Sequence, residues 1–497
     1  MAIAALLGIV GGLHRLALSR RYWGHEEEDW GNLVLIRGVL DSGFGFVEME
    51  HMPLYSWLAA AATLVTGDPR SGGLLVAILA GALTVALTAW IGARWLSPAA
   101  GAVAGLLIAF QPESALYSAS TLRESTYTAA MLAAVALVGD RRVRLAAVAL
   151  AVAFLTRFNP AFSLLPALGW MAWRERRVDV RRWALPAAAL LAVTAGWAAF
   201  YRAEVGTWAF WGGVMERNSG DAVGDLFPRE RIAAVFGALG GLGARVLPGH
   251  VGPLVVLLAP VGMALAGRGR RPTAARWLAA AGLGTLGLLF LTALVSTYEW
   301  THNLYWKWLT PSVPFLALFA AHALAALPRK RLAALAALVL LTAPAYIVQT
   351  RSQVQRSAAW YGSQIELVRW VERAWPPGVA MITDAIPAWY LQATRSPLHV
   401  ISWQDPDLPR DDSEAFGAFL ADQHVVVVQW FAEDWVGASE VAPWLASGKA
   451  HAAGPHILVP VAREDGYGFI AYMVSHGLGS PQPSEPPPAA AGALVAP

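Results

Sequence analysis

Residues 71–93, SGGLLVAILAGALTVALTAWIGA, contain no charged side chain and decide the fold class of this chain. A helix needs about 20 apolar residues to cross a bilayer core of roughly 30 Å, so this segment predicts a transmembrane helix. Across the chain, 56% of the 497 residues are hydrophobic and 14% are charged, whereas roughly 25% are charged in an average soluble domain. The sequence therefore predicts a helical protein that crosses a membrane many times.

Apolar runs of this kind recur along residues 1–350 and predict an α-helical polytopic membrane protein with about 11 transmembrane helices. The predicted spans are 2–18, 71–93, 97–112, 124–139, 145–157, 159–173, 183–201, 250–267, 277–297, 307–327 and 332–349. The first run is predicted to be an uncleaved helix, because it lacks the positive n-region and clear small-residue cleavage site of a signal peptide.

Basic residues give an independent test of this topology, because cytoplasmic loops collect Lys and Arg. With a cytoplasmic N-terminus, every basic cluster between apolar runs falls on the cytoplasmic side, including Arg141 to Arg144, Arg174 to Arg182 and Arg268 to Arg276. An odd number of spans then places the C-terminal segment outside. The chain is therefore predicted to be a multi-pass protein of the cell (inner) membrane with an extracytoplasmic C-terminal domain.

Residues 351–476 differ in composition from the apolar first part of the chain. The β-branched runs Val425 to Val428 and Ile457 to Val461 predict strands, as does Val379 to Thr383, while Gln364 to Ala374 has the spacing of an amphipathic helix. These patterns predict a small soluble α/β domain after the membrane domain. Residues 477–497 are rich in Pro, Ala and Ser, which predicts a disordered tail.

Several classes of function are excluded by what the sequence lacks. There are no cysteines, which removes disulfides, thiolate metal sites and cysteine nucleophiles. No GxxxxGK[ST] loop or strand-associated GxGxxG turn is present, and no predicted cytoplasmic loop is long enough for a nucleotide-binding domain. Basic residues form no continuous face of the kind that binds nucleic acid. We therefore expect the substrate to come from the lipid or from the outer side.

The first outer loop carries four consecutive acidic residues in an otherwise acid-poor half of the chain. It begins with His25-Glu26-Glu27-Glu28-Asp29-Trp30, directly ahead of the helical pattern Leu33 to Leu40. A helix N-terminus favours the ionised form of a carboxylate, and such a carboxylate can act as a general base towards a hydroxyl within hydrogen-bond reach. The alternative is a solvated acidic turn that only enforces topology.

Further along this loop, Glu48, Glu50 and His51 precede an apolar stretch that ends at Val65 and is too short for a confident span. We expect this stretch to form a re-entrant or interfacial helix. It would place His51 and two more carboxylates beside the first acidic cluster.

Charged residues also stand at the ends of three predicted spans. Arg123-Glu124 begins one span, Arg157 lies between two, and Lys307 begins another. Charges at such positions are costly unless they are partnered or line a wet cavity, although an arginine or lysine can also extend to the lipid headgroups. Together the three basic residues form a candidate site for a phosphate.

Taken in chain order, these segments resemble the GT-C superfamily of integral membrane glycosyltransferases. They are most similar to the branch that contains protein O-mannosyltransferases and lipid A aminoarabinose transferases, over roughly residues 20–325. The matching segments are Glu28-Asp29 ahead of Val39 to Gly43, His51 to Tyr55, Pro112-Glu113 through Arg123-Glu124, Leu155 to Arg157, and Lys307 to Pro314. Two of them depart from the family, because the order of the first acids is reversed and His51 replaces a usual lysine.

The resemblance implies a GT-C-like fold and an inverting transfer of a sugar from a polyprenyl-phosphate donor to a lipid, glycan or protein acceptor. It implies that Asp29, with Glu28 close behind, takes the proton of the acceptor. The residues it implies for binding substrate and phosphate are His51, Arg123, Glu124, Arg157, His302 and Lys307. No cofactor is certain, and a divalent metal held by Glu48, Glu50, His51, Glu124 or His302 stays open.

Two other functions remain as alternatives to sugar transfer. A lipid or glycolipid transporter or flippase would place ionisable residues near the bilayer midplane, whereas the predicted spans are almost free of charge apart from His322. A non-enzymatic envelope assembly or sensor protein would use the outer α/β domain as its binding module. About 11 spans are more than an anchor needs.

Overall fold

The computed structural model describes residues 1–24, 27–45, 52–175, 180–208, 251–266, 272–295, 310–327, 330–403, 405–431, 440–464 and 469–475. The chain divides into two compact units. The first unit consists of Met1–Arg20 and Val39–Arg351, and the second consists of Arg21–Gly38 and Ser352–Pro497. The segment Arg21–Gly38, which contains Glu28 and Asp29, therefore groups with the C-terminal part of the chain.

Up to Ser357, the described residues form helices and the turns between them. In chain order the elements are α1 (Ala2–Ser19), α2 (Glu27–Asp41), α3 (Leu54–Thr66), α4 (Pro69–Trp95), α5 (Pro98–Phe110), α6 (Pro112–Ser118), α7 (Glu124–Gly139), α8 (Val143–Thr156), α9 (Phe158–Phe162), α10 (Leu165–Glu175), α11 (Val180–Val205), α12 (Pro253–Leu265), α13 (Pro272–Val295), a 3-10 turn (Thr310–Ser312), α14 (Val313–Ala325) and α15 (Arg331–Ser357).

Three successive helices begin in the same way, with a side chain that caps the helix followed by a proline. Asp68 accepts a hydrogen bond from the Ser71 amide at 2.8 Å, and Ser97 accepts one from the Ala100 amide at 3.1 Å. Gln111 caps α6 by accepting from the Ser114 amide at 2.6 Å. Proline suits the first helical position because the amide it lacks would have no partner there. The third cap breaks one apolar stretch into α5 and α6, which are bent by 60°.

Each predicted span overlaps described helices, but 97–112 runs into α6, 159–173 is divided between α9 and α10, and most of these helices are shorter than a membrane is thick. Among the described residues, four helices are long and apolar enough to cross a membrane: Ala2–Ser19, Pro69–Trp95, Val180–Val205 and the continuous helix Leu332–Ala374. The bent pair α5 and α6 makes a fifth candidate if it counts as one span. The chain is thus helical with several membrane-spanning segments, and the number eleven stays a prediction.

Small residues allow the helices of the first unit to pack with their backbones close together. A Cβ atom added at Gly101 of α5 would overlap the backbone of Ala93 in α4, and one added at Gly139 would overlap the ring of Trp95. The C-terminal end of α7 is fixed by Arg182, whose Nε donates to Val138 O at 2.9 Å and whose Nη2 donates to Gly139 O at 2.6 Å. These contacts fix the helix that carries Arg123 and Glu124 at its other end.

The second unit contains a six-stranded mixed sheet with helices. Its elements are α16 (Ser363–Ala374), β1 (Ala380–Thr383), α17 (Ala385–Thr394), β2 (His399–Ser402), α18 (Ser413–Asp422), β3 (Val425–Phe431), α19 (Ala442–Ala446), β4 (His451–Ala453), β5 (His456–Glu464) and β6 (Phe469–Ser475). The strand order is β2-β1-β3-β6-β5-β4. β1 pairs in parallel with β2 and β3, and the other pairs are antiparallel. The predicted domain limits 351–476 and the predicted tail stay predictions.

Helix α2 packs within the second unit through aromatic and polar contacts. The ring of Trp30 lies 6.1 Å from the rings of Tyr361 and Tyr390, measured between centroids. Arg37 adds a hydrogen bond from its Nε to Ala393 O at 2.8 Å. The residues that α2 contacts lie more than 300 positions further along the chain. These contacts hold the acidic first turn of α2 in a defined position.

Candidate functional site

The start of α7 lies in a stretch of polar side chains that is buried inside the helical unit. A buried polar group in an apolar bundle is costly unless it has a partner, so such a stretch is a candidate functional site. Its buried polar residues are Gln111, Glu113, Ser114, Ser118, Ser120, Thr121, Arg123, Glu124, Ser125, Thr126 and Thr128. The buried 3-10 turn Thr310–Ser312 packs against the same helix.

An ion pair between Glu124 and Arg157 forms the centre of this stretch. Glu124 Oε1 contacts Arg157 Nη1, the Glu124 side chain is fully buried, and the Arg157 side chain is 16% exposed. Glu124 Oε2 is also buried and has no hydrogen-bond partner among the described residues. Arg157 therefore binds one carboxylate oxygen of Glu124. The other oxygen can accept a hydrogen bond or contact a cation.

Arg157 is positioned by the end of α8 and by an aromatic ring. It follows the last residue of that helix, Thr156, and its Cζ atom lies 5.7 Å from the centroid of the Tyr127 ring. Arg123 precedes Glu124 at the start of α7 and is also buried. Of the two predicted phosphate-binding arginines, Arg157 is thus paired with Glu124, and Arg123 directly precedes Glu124 in the chain.

Serine hydroxyls join α6 to α7 next to this pair. Ser118 Oγ donates to Ser114 O at 2.7 Å, and it shares a second hydrogen bond of 2.7 Å with Ser125 Oγ. Sequence reasoning assigned no role to these serines. Their spacing of four residues along α6 puts Ser114 and Ser118 on one face, but the partner Ser125 is visible only in the fold.

Glu113 is a second buried carboxylate of the same stretch, and sequence reasoning quoted it only as part of a motif. Its Oε1 accepts a hydrogen bond from Gln349 Nε2 at 3.2 Å. Gln349 belongs to α15, so this bond connects α6 to a helix more than 200 residues away. An acidic residue in an apolar run is the signal that could have identified Glu113.

Glu28 and Asp29 lie in the second unit, in the first turn of α2. Asp29 is 2% exposed, whereas Glu28 is half-buried and is the more accessible carboxylate. Ser357 fixes the preceding turn: its Oγ accepts hydrogen bonds from the amides of Trp23 and Gly24, each at 3.0 Å, and donates to Gly24 O at 2.7 Å. Gly24 lies against the acidic turn, since a Cβ added there would come within 3.4 Å of Asp29 Oδ2.

Three predicted substrate-binding residues, His51, His302 and Lys307, lie outside the described residues, as do Glu48 and Glu50. Within the part of the chain that the structure describes, no three His, Asp or Glu side chains are grouped closely enough to hold a metal ion. The structure therefore brings together Arg123, Glu124 and Arg157 in the first unit, and Glu28 and Asp29 in the second.

Replacing Glu124 by glutamine should destabilise the protein far more than breaking an exposed ion pair. Glu124→Gln leaves the Arg157 charge without a counter-charge, which costs about 3 kcal/mol or more for a buried pair. The control is Asp140→Asn, because Asp140 pairs with Arg94 at 2.9 Å and the Arg94 side chain is 39% exposed. An exposed pair contributes at most about 1 kcal/mol.

The measurement is the free energy of unfolding from denaturant titration of the purified protein in detergent micelles. An equal loss of stability in Glu124→Gln and Asp140→Asn would show that the Glu124–Arg157 pair is not the buried interaction described above.

Residues 50–200 match the family model described as dolichyl-phosphate-mannose-protein mannosyltransferase. No curated protein sequence matches the chain.

Two solved proteins are similar to this chain in fold over most of its length. The first is ArnT from Cupriavidus metallidurans, in its crystal structure bound to undecaprenyl phosphate, with 14% sequence identity to this chain. The match covers 96% of this chain and 99% of the ArnT chain, with a TM-score of 0.61. The second is the oligosaccharyltransferase of Archaeoglobus fulgidus in its apo form, with 13% sequence identity to this chain. The match covers 95% of this chain and 74% of the oligosaccharyltransferase chain, with a TM-score of 0.54. The resemblance expected from the sequence motifs is therefore confirmed over residues 50–200, and the chain shares the fold of ArnT and of the oligosaccharyltransferase.

Proposed function

We propose that this protein is a membrane glycosyltransferase that moves a sugar from a polyprenyl-phosphate-linked donor to an extracytoplasmic acceptor, with inversion. The observation that carries the proposal is the buried Glu124–Arg157 pair, with Arg123 beside it, in a helical unit of GT-C fold. Charges are kept at such depth when they serve a function, because each is costly to bury.

The donor is the part of the proposal with the most support. ArnT, whose fold this chain shares, was crystallised with undecaprenyl phosphate, which is a polyprenyl phosphate. A guanidinium presents five N–H donors in a planar fork that matches phosphate oxygens. Arg157 can therefore donate hydrogen bonds to a phosphate while it stays paired with Glu124. Arg123 supplies a second guanidinium group. His51, His302 and Lys307 are proposed to complete the phosphate site.

The proposed reaction breaks one bond and forms one. A hydroxyl of the acceptor attacks the anomeric carbon of the donor sugar on the face opposite the phosphate. The bond between that carbon and the phosphate oxygen breaks, and the polyprenyl phosphate leaves with the electron pair. Arg123 and Arg157 stabilise the negative charge that develops on the leaving group, and Asp29 or Glu28 takes the proton of the hydroxyl.

The proposed topology follows the basic clusters and the acidic outer loop. The N-terminus is cytoplasmic, and the chain lies in the inner membrane. Residues 351–476 form an extracytoplasmic α/β domain that holds the acceptor, which is a lipid, a glycan or a protein. Transport of a lipid-linked sugar between leaflets is the rival activity, and it differs by forming no covalent product.

Neutralising Asp29 should abolish transfer while leaving the fold intact. We expect Asp29→Asn to lower the transfer rate by about 100-fold or more, the usual size of a lost general base. Asp41→Asn is the matched control, since Asp41 is the exposed last residue of the same helix. The measurement is sugar transfer in proteoliposomes supplied with undecaprenyl-phosphate-linked hexoses and pentoses and a membrane extract as acceptor, followed by mass spectrometry.

The two carboxylates can be separated in the same assay. A loss in Glu28→Gln with activity retained in Asp29→Asn would assign the base to the more accessible Glu28. Full activity in the double variant Glu28→Gln/Asp29→Asn would contradict a carboxylate base in α2. Movement of the lipid-linked sugar between leaflets without product would favour a transporter.

A methyl group added at Gly24 should disturb the acidic turn, whereas the same change at Gly31 should not. The added Cβ at Gly24 would lie 3.2 Å from Trp30 Nε1 and 3.4 Å from Asp29 Oδ2, but at Gly31 it would come no closer than 3.9 Å to Trp389. We expect Gly24→Ala to lower transfer about tenfold, since displacements of about 1 Å can cost 100-fold. Gly31→Ala should keep wild-type activity, and equal activities in the two variants would mean that the Asp29 position is not critical.

A further inference from the structure

Arg15 is a buried charge that the proposed reaction does not use. It lies in the membrane-spanning helix α1, and its side chain is fully buried. Its hydrogen-bond acceptors among the described residues are all neutral oxygens: Gly11 O at 3.0 Å, Ile108 O and Ala109 O at 3.2 Å, Ser114 Oγ at 3.0 Å and Ser114 O at 3.4 Å. A charged side chain inside a span marks a functional position by default.

The acceptors of Arg15 lie at the break between α5 and α6. In a continuous helix the amide of residue 112 would donate to the Ile108 carbonyl, but Pro112 has no amide hydrogen. Because α5 ends at Phe110, Ala109 is also among the last residues of that helix, whose carbonyls have no partner within the helix. Arg15 supplies donors to the carbonyls of Ile108 and Ala109, which would otherwise be buried without partners. It therefore fixes the bend and, through Ser114, the first turn of α6.

A chain of hydrogen bonds leads from Arg15 to Ser125, the neighbour of Glu124 in sequence. Arg15 donates to Ser114 Oγ, Ser118 donates to Ser114 O, and Ser118 bonds Ser125, the residue after Glu124. The neighbouring helix α4 leaves no room for another arrangement, because a Cβ added at Gly81 would overlap both Ser118 Oγ and Arg15 Nε. A displacement of Arg15 would thus be transmitted to the start of α7.

We propose that Arg15 is a positioning residue: by holding the α5–α6 break and the serine chain it places the Glu124–Arg157 pair for binding a lipid phosphate. The ligand named here rests on the proposed function. The hydrogen-bond chain from Arg15 to Ser125 is independent of the proposed function, because it consists of contacts within the first unit.

The test is a double-mutant cycle on the affinity for undecaprenyl phosphate itself. The full chain is purified into lipid nanodiscs, and the dissociation constant of radiolabelled undecaprenyl phosphate is measured for wild type, Arg15→Met, Arg157→Gln and the double variant. If Arg15 acts through the pair, Arg15→Met weakens binding about tenfold in the wild-type background and less than about twofold when Arg157 is already replaced.

Arg182→Met is the matched control, because Arg182 is also buried and donates to two carbonyls of α7, at the opposite end of that helix. It should lower stability but change the dissociation constant less than about twofold in either background. Far-UV circular dichroism and gel filtration report folding. If Arg15→Met does not fold, Ser118→Ala breaks the same chain without removing a charge, and we expect a loss of about threefold with the same non-additivity.

Equal losses from Arg15→Met in both backgrounds would overturn the proposal, since they would indicate a structural role independent of the pair. Unchanged affinity in folded Arg15→Met or Ser118→Ala would overturn it as well. Wild-type protein that binds no undecaprenyl phosphate would instead contradict the proposed function, and with it the ligand assigned to the pair.

Discussion

The buried ion pair between Glu124 and Arg157 is the interaction on which the rest of the site depends. It joins the start of α7 to the end of α8 inside an apolar bundle. Neither charge is stable there alone, because the bundle offers little solvation to an isolated ion. The surrounding polar groups follow from this constraint: Tyr127 lies beside the guanidinium, and hydroxyls of α6 reach the turn that carries Glu124.

The helix α7, which begins at Glu124, is held at both of its ends. α7 is held at its far end by Arg182 and by Trp277, whose Nε1 donates to Val135 O at 2.8 Å. At its near end it is linked to α6, which the capping residue Gln111 starts in a new direction. Helices fixed at both ends hold charged groups in one geometry, which electrostatic stabilisation of a transition state requires.

Much of the fold could be predicted from the sequence, because apolar runs and β-branched runs report helices and strands directly. Each predicted span overlaps a described helix, although 159–173 is divided between α9 and α10, and Val425 to Val428 lies in β3. The span count could not be settled in this way, because caps such as Ser97-Pro98 and Gln111-Pro112 divide apolar sequence into helices shorter than a bilayer. Periodicity does not report such divisions.

The candidate site was predictable in its residue types and less so in its contacts. Arg123, Glu124 and Arg157 stand out as charges in apolar sequence, and two of them prove to be paired. The sequence analysis assigned no role to Arg15, because its contact with a backbone carbonyl 93 residues away cannot be predicted from a sequence pattern. The place of α2 in the second unit was hidden for a similar reason, since it rests on Trp30 packing against Tyr361 and Tyr390.

Sugar transfer from a polyprenyl-phosphate carrier is tested most directly by mass spectrometry of lipid-linked sugars and envelope glycans in cells with and without this protein. The account predicts that one polyprenyl-phosphate sugar accumulates when the protein is absent, that one sugar substituent disappears from an envelope component, and that restoring the protein reverses both changes. Identical profiles of lipid-linked sugars and glycans in the two cell lines would contradict it.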